Sequence, residues 1–183
     1  VKSPRAAVYF HTTISILKKL GLSEEAHEIG LASTEFNMRW LETGEVMASD
    51  MRDALEPGQE FDHNLHFGQH ILAELVMRHL AKLPNTEVLW NHTVKALAQT
   101  GSEARLAVDT DEGEVIFEAD WVIGTDGARS TVRKLVGLPF DGMTWPDRFV
   151  ATNIEYPFLD FGYANANMVV DPVNWCVIGR LGR

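Results

Sequence analysis

An aspartate between two glycines, followed by two arginines, has the clearest potential for chemistry in this sequence. Asp126 lies between Gly124 and Gly127, and glycine lets the backbone turn sharply and approach a ligand closely. A carboxylate in such a turn can accept hydrogen bonds from the hydroxyls of a sugar or sugar alcohol, or pair with a cation. Arg129 and Arg133 follow within a few residues, where they can hold the carboxylate in place or face a phosphate.

The elements predicted around this aspartate are a strand before it and a helix after it. Residues 121–123 form a short apolar run that stops at a glycine, which predicts a buried parallel strand. Ser130 is predicted to cap a helix over residues 131–136, and Gly137 to end it. Asp126 is therefore expected at the carboxyl end of a strand and just before a helix, where open α/β sheets bind their ligands.

The spacing Gly-x-Asp-Gly-x-x-Ser-x-Val-Arg in residues 124–133 resembles the second fingerprint of the flavin-dependent aromatic hydroxylases. These are single-component FAD monooxygenases similar to p-hydroxybenzoate hydroxylase. The resemblance implies that Asp126 and Gly127 lie against the ribityl and pyrophosphate portion of FAD and influence the approach of NAD(P)H. Arg133 is predicted to keep the carboxylate ionised and oriented. An alternative stays open, in which the segment is only a turn with a capped helix and surface arginines.

The same resemblance implies three further cofactor contacts. Arg5, in an Arg-Ala pair, carries over as a contact to the flavin nucleotide, and Val94 as a backbone contact to the adenine. Gln69 stands at the head of a helix predicted over residues 68–82, where its amide can donate and accept at a ribityl hydroxyl. The alternatives are a solvated arginine near a terminus for Arg5 and an ordinary helix residue for Gln69.

Three residues are candidates for lining a substrate pocket. Residues 34–40 alternate apolar and polar side chains and residues 46–49 return after a turn, which predicts a β-hairpin. In the family this hairpin packs over the substrate cavity, so Met38 and Trp40 are candidates, although both are equally well explained as core. Trp175 is the third, because the strands around it resemble the sheet that covers the flavin ring.

The whole pattern predicts an α/β protein with some α+β character. Residues 1–142 are expected to form a partial Rossmann-like FAD-binding domain with antiparallel hairpins. Residues 143–183 are expected to begin the antiparallel sheet of a substrate domain, since strands alone follow the boundary. Helices are predicted over 8–20 and from 22 onward, a loop over 51–67, and further strands over 86–90, 93–98, 105–110, 115–119, 149–154, 167–170 and 174–181.

Composition and charge exclude several classes of partner. The net charge is −10, which argues against nucleic acid and anionic membranes, and no apolar run reaches the roughly 20 residues that span a bilayer. Cys176 is the only cysteine, which favours a reducing, cytoplasmic compartment. His63, His66 and His70 are not predicted to bind a metal, because no thiol or carboxylate completes the set.

The resemblance implies an enzyme that uses NAD(P)H, FAD and O₂ to hydroxylate an aromatic or similar small organic substrate. The flavin carries the chemistry in such an enzyme, so no catalytic residue is predicted. The sequence lacks the Gly-x-Gly-x-x-Gly turn that seats the pyrophosphate. We therefore expect an internal fragment that binds FAD weakly or not at all by itself.

Two alternatives to this function remain open at the level of the sequence. In one, the chain is a flavin-free remnant that acts as a binding module and self-associates through an uncovered sheet face. In the other, the parent protein is a flavin halogenase or another oxidoreductase of the same fold, since a fold does not fix a reaction.

Overall fold

The computed structural model describes residues 6–182 and separates them into two compact units. The first unit combines the described residues up to Thr86 with those from Val150 onward, and the second is Glu87–Phe149. Arg5, a predicted nucleotide contact, lies outside the described residues. In the part of the chain that the structure describes, no helix is long and apolar enough to cross a membrane.

Strands and helices alternate through the chain without a simple repeat. The strands are β1 (Val8–Tyr9), β2 (Leu31–Ser33), β3 (Glu35–Trp40), β4 (Val46–Asp50), β5 (Asn64–His66), β6 (Thr93–Gln99), β7 (Ala104–Thr110), β8 (Gly113–Ala119), β9 (Ala166–Val170) and β10 (Cys176–Gly179). The helices are α1 (His11–Lys19), α2 (Ser23–Ile29), α3 (Gln69–Leu80) and α4 (Thr131–Leu135), with short 3₁₀ helices at Met51–Ala54 and Phe158–Phe161.

The core of the first unit lies where its helices meet a small antiparallel sheet ordered β1-β5-β2. Ile14 and Leu17, one turn apart on α1, are both buried, as expected of the inward stripe of an amphipathic helix. Gly21 ends α1 with a φ of 72°, and its N–H bonds to the Lys18 carbonyl at 3.0 Å, a glycine-terminated cap. The buried core side chains are Tyr9, Ile14, Leu17, Leu22, Ala26, Leu65, Phe67 and Leu75.

A second sheet in this unit joins strands that are distant in sequence. Its order is β10-β9-β3-β4, and β3 and β4 form the predicted antiparallel hairpin, with Met38 opposite Met47. On its other side β3 pairs in parallel with β9, where Met38 faces Met168. The sheet therefore includes strands from both sides of the boundary placed at residue 142, and that boundary stays a prediction from the sequence.

The second unit is built on an antiparallel meander, β6-β7-β8, followed by the turn at Asp126 and by α4. The predicted strands over 93–98, 105–110 and 115–119 are all present. Ala104 and Val108 on β7 are buried, because this strand is central and has a neighbour on each side. The register slips between Val94 and Ala96, which places a β-bulge on β6.

Several predicted elements are wrong. Residues 121–123 are not a strand, and the Trp121 and Ile123 side chains are 86% and 83% exposed. Residues 86–90 and 149–154 are likewise without strand structure. An apolar run favours a strand only where a neighbour can pair with it, and none of the described strands pairs with these segments. Conversely, the predicted loop over residues 51–67 contains a 3₁₀ helix and β5.

Candidate functional site

The turn around Asp126 is shaped by two glycines that serve different purposes. Gly127 has a φ of 77°, in the left-handed region that other residues adopt at a cost. A Cβ on Gly127 would meet no atom within 4 Å, so its backbone faces open space. At Gly124 a Cβ would come within 3.0 Å of the Val132 side chain. Gly127 therefore lets the chain turn, and Gly124 lets the chain approach α4 closely.

Asp126 caps the helix that follows it. Its Oδ2 accepts hydrogen bonds from the N–H of Thr131 at 2.5 Å and of Val132 at 3.2 Å. Its Oδ1 accepts from the Ser130 hydroxyl, and the Ser130 Oγ in turn accepts from the N–H of Arg133 at 3.0 Å. The first N–H groups of α4 are therefore satisfied by Asp126 and Ser130 together, and the predicted capping role of Ser130 is confirmed.

This arrangement keeps the Asp126 carboxylate ionised. The Ser130 hydroxyl, followed by the N–H groups of Val132 and Thr131, holds the pKa of the Asp126 carboxyl below its usual range. The backbone N–H of Asp126 itself contributes to this lowering as well. The Asp126 residue is exposed, so its carboxylate can be reached from solvent.

The sequence analysis predicts that Arg133 keeps the Asp126 carboxylate ionised and oriented, but other groups have this role in the structure. The Arg133 guanidinium donates to the Ala128 carbonyl at 2.8 Å and lies 4.4 Å from the centre of the Phe140 ring. The helix N-terminus and the Ser130 hydroxyl orient the Asp126 carboxylate instead. The Arg133 guanidinium reaches back to the turn before α4, so nearness in sequence alone did not show which group it bonds. The sequence signal for the group that bonds the Asp126 carboxylate was Ser130, four residues further along the chain.

The helix α4 packs against β6, the strand that carries Val94. Val94 is half-buried and pairs with Val108 immediately before the bulge. A bulge interrupts the regular ladder and leaves backbone groups unpaired, which suits a strand whose backbone is to contact a ligand. The contact between Val94 and an adenine ring stays a prediction.

The remaining candidates lie in the first unit. Gln69 is the first residue of α3, its side chain is exposed, and its N–H bonds to the Ala6 carbonyl at 3.0 Å. The side chain is thus available to a ligand, and its role as a flavin contact stays a prediction.

Of the three pocket candidates, one borders a cleft in the structure. Trp40, at the end of β3, borders a cleft of about 360 Å³. Met38 precedes it on the same face of the strand, and Trp175 is 47% exposed just before β10. The cleft is lined by Trp40, Glu42, Thr43, Val170, Asp171 and Pro172. Its two carboxylates make it a poor environment for an anionic ring, so the role of these three residues as a substrate pocket stays a prediction.

Two of the histidines considered for a metal site, His66 and His63, have different partners. His66 is buried on β5 and bonds through Nδ1 to the Arg180 carbonyl at 3.0 Å, whereas His63 bonds to His27. Over residues 6–182, no group of three or more His, Cys, Asp or Glu side chains is placed to hold a metal ion.

The fold and the Asp-Gly turn define the class of protein. Residues 1–168 match the family described as FAD binding domain, and the chain belongs to this family. FAD is therefore the cofactor that this family binds.

Relatives and solved structures point to one group of enzymes. The chain is 36% identical over 181 residues to para-nitrophenol 4-monooxygenase of Pseudomonas sp. (strain WBC-3), covering 99% of the chain and 45% of that relative. It is 37% identical over 177 residues to 6-hydroxy-3-succinoylpyridine 3-monooxygenase HspB of Pseudomonas putida (strain DSM 28022 / S16), covering 96% and 45%. The crystal structure of p-nitrophenol 4-monooxygenase PnpA from Pseudomonas putida DLL-E4 superimposes with a TM-score of 0.94 and 36% identity, over 100% of this chain and 46% of that one.

These comparisons confirm the resemblance and the α/β fold class predicted from the sequence. The chain spans less than half the length of the relatives it matches. The activity of the whole protein is therefore treated below as a proposal.

Proposed function

We propose that the protein containing this chain is an FAD- and NAD(P)H-dependent monooxygenase that hydroxylates an aromatic substrate with O₂. The observation that carries the proposal is the membership of the FAD binding domain family combined with relatives named as monooxygenases over nearly the whole chain. A flavin-free binding module and a halogenase are not favoured, because no such protein is among these relatives. A cytoplasmic location and self-association stay predictions from the sequence.

The residues of the Asp126 turn fit the cofactor. The ribityl chain of FAD carries hydroxyls that can donate to the exposed Asp126 carboxylate. The backbone at Gly127 faces open space, so a bulky ligand can approach it without meeting a side chain. When bound, FAD supplies the redox chemistry and the activation of O₂. The chain's own part is to bind and orient the cofactor through this rigid, capped turn.

The relatives also suggest the substrate class. Para-nitrophenol and 6-hydroxy-3-succinoylpyridine, the compounds in their names, are six-membered aromatic rings with a hydroxyl and a second substituent para to it. In both names the oxygenated position is the ring carbon that carries this second substituent. We therefore assign to this protein a hydroxylated aromatic ring with an electron-withdrawing para substituent, oxygenated at the substituted carbon. The bond between that carbon and the substituent breaks as the C–O bond forms, so the substituent leaves the ring.

Substitution of Asp126 in the full-length protein tests the cofactor site. Asp126→Ala removes the carboxylate and the cap together, whereas Asp126→Asn keeps a side-chain oxygen for the cap but removes the charge. Loss of a hydrogen bond to a charged group corresponds to roughly a ten- to hundredfold loss of FAD affinity. FAD dissociation is followed by flavin fluorescence, and Asp120→Ala, at an exposed aspartate just after β8, is the matched control.

Melting temperatures of the same variants separate binding from folding. Unchanged FAD affinity together with a lowered melting point would show that Asp126 only shapes the turn. For the reaction, oxidation of NADH and of NADPH is measured with and without para-nitrophenol. Failure of any hydroxylated aromatic ring to stimulate oxidation and yield an oxygenated product contradicts the proposed activity.

A further inference from the structure

Two histidine side chains in the first unit join α2 to the segment before β5. His27 lies on α2, and His63 directly precedes Asn64, the first residue of β5. Their Nε2 atoms are 2.9 Å apart, which is a direct hydrogen bond between the two rings. The rings meet edge to face, with 72° between their planes and 5.1 Å between their centres. This bond ties together two elements that are distant in the sequence.

The outer nitrogen of each ring is held by an oxygen that only accepts hydrogen bonds. Nδ1 of His27 lies 2.6 Å from the Ser23 carbonyl oxygen, with the Ser23 hydroxyl farther away at 3.3 Å. Nδ1 of His63 lies 3.1 Å from the Asp62 carboxylate. The hydrogen bond with His63 is the main cause that lowers the pKa of the Asp62 carboxyl, so this group is ionised and has no proton to donate. Both Nδ1 atoms therefore carry a proton.

The number of protons on the pair follows from these contacts. The two contacts to oxygen and the contact between the rings are three hydrogen bonds, and each of them needs one N–H. Two neutral imidazole rings supply only two N–H groups, one fewer than the bonds require. Two imidazolium rings supply four, and two of these N–H groups would point at each other across 2.9 Å. Only a pair with a single positive charge makes all three bonds.

Ion pairs on the neighbouring helices flank the two histidines. Glu25 of α2 accepts from Arg78 of α3 at 3.1 Å, and Glu60, in the same segment as His63, pairs with Lys18 of α1. Carboxyl, ammonium and guanidinium groups have reference pKa values far from neutral, whereas that of histidine is about 6.5. Among these groups, the two histidine rings are therefore the ones that change charge near neutral pH.

A polar cleft borders the same segment. Its volume is about 380 Å³, and Asp62 and His63 form part of its wall. The other charged groups that line it are Glu35 of β3 and Arg52 of the first 3₁₀ helix, and Arg52 donates to Asp50 at 2.6 and 2.9 Å. A movement of the segment that carries Asp62 and His63 therefore changes the shape of this cleft.

We propose that the His27–His63 pair is a proton-dependent clasp, which holds the segment before β5 against α2 only while the two rings share one proton. Loss of that proton leaves two N–H groups for three hydrogen bonds, so one contact must open. Gain of a second proton sets two N–H groups and two positive charges against each other. The Asp62 side chain is 62% exposed and that of His63 is 19% exposed, so the pair can exchange protons with solvent.

The stability that the clasp contributes should be greatest at intermediate pH. As the pH rises, the unfolded chain holds both histidines neutral and so binds one proton fewer than the closed clasp, which makes the contribution fall. As the pH drops, the unfolded chain protonates both histidines and binds one proton more than the closed clasp, so the contribution falls again.

An NMR titration of the full-length protein, labelled with ¹⁵N in its histidine rings, tests the clasp. A scalar coupling between the two Nε2 nuclei across the shared hydrogen is expected near about pH 6.5 and should be lost towards about pH 5 and about pH 9. His27→Gln and His63→Gln should each abolish it. In Asp62→Asn the side-chain amide can donate to Nδ1 of His63, so the neutral pair can make all three bonds and the coupling should persist at about pH 9.

Hydrogen exchange measures the effect on the fold. Loss of a charge-assisted hydrogen bond should lower the protection of the α2 amides roughly tenfold or more near about pH 6.5 in His27→Gln and His63→Gln. The matched control is His92→Gln, at an exposed histidine in the second unit, which should leave coupling and protection unchanged. If a glutamine variant does not fold, the titrations of the unsubstituted protein and of Asp62→Asn decide the question.

Three results would overturn the proposal. The first is the absence of any coupling between the two Nε2 nuclei from about pH 5 to about pH 9. The second is a coupling that stays constant over that whole range. The third is loss of the coupling in Asp62→Asn at the same alkaline pH as in the unsubstituted protein, because the proton count would then not govern the clasp.

Discussion

The double role of Ser130 leads to a prediction with a calculable magnitude. Its hydroxyl accepts from the N–H of Arg133 at 3.0 Å and donates to Asp126. Ser130→Ala removes both bonds from a residue that is only 8% exposed. Loss of an N-cap hydroxyl costs about 1 kcal/mol of folding free energy, within a range of about 0.5–2. With an m-value of about 1–3 kcal/mol/M, the urea midpoint should fall by roughly 0.3–1 M.

The same substitution should change the titration of Asp126. The Ser130 hydroxyl is the main cause that lowers the pKa of the Asp126 carboxyl, so Ser130→Ala should raise that pKa toward its usual range. A carboxylate with a lowered pKa stabilises the fold above its unfolded pKa of about 3.9 and loses this effect as the pH falls through its folded value. The difference in stability between the variant and the unsubstituted chain should therefore be larger at pH 7 than below pH 4.

Urea unfolding at pH 7 and at a pH below 4 measures the difference in stability. A ¹³C NMR titration of the aspartate carboxyls measures the pKa of Asp126. Ser102→Ala is the control, since Ser102 lies in an exposed turn of the same unit and its loss should leave the midpoint unchanged. An unaltered midpoint for Ser130→Ala at pH 7, or an unaltered pKa of Asp126, would refute the reasoning that these two side chains cap α4 together.

Two further predictions concern the core of the first unit. In Gly30→Ala the new Cβ would lie 2.8 Å from a Phe67 ring carbon, so this overpacking should cost roughly 1–3 kcal/mol in urea unfolding. Gly101→Ala, where the Cβ meets nothing within 4 Å, should be neutral, and equal stabilities would contradict the packing argument. Burial lowers the pKa of His66, so protonation of this histidine in the unfolded chain should reduce the melting temperature as the pH falls from about 7 to 5. His66→Gln, which still can donate to the Arg180 carbonyl, should flatten that slope, and an unchanged slope would show that other groups cause it.

The sequence by itself determined the features that depend on neighbouring residues. The periodicity of α3, the hairpin of β3 and β4 and the meander β6–β8 follow from local side-chain patterns. The cap at Ser130 and the left-handed turn at Gly127 follow from residue chemistry at single positions. The spacing around Asp126 also identified the family, because that turn needs a glycine, a carboxylate and a hydroxyl at fixed intervals.

Only the tertiary structure decided the features that depend on a partner distant in the chain. Residues 121–123 have the composition of a strand, but a strand exists only where another segment supplies hydrogen bonds. The parallel pairing of β3 with β9 and the hydrogen bond between the His27 and His63 rings join residues separated by many positions. The direction in which Arg133 points was also beyond the sequence, since nearness along a helix does not fix which group a long side chain reaches.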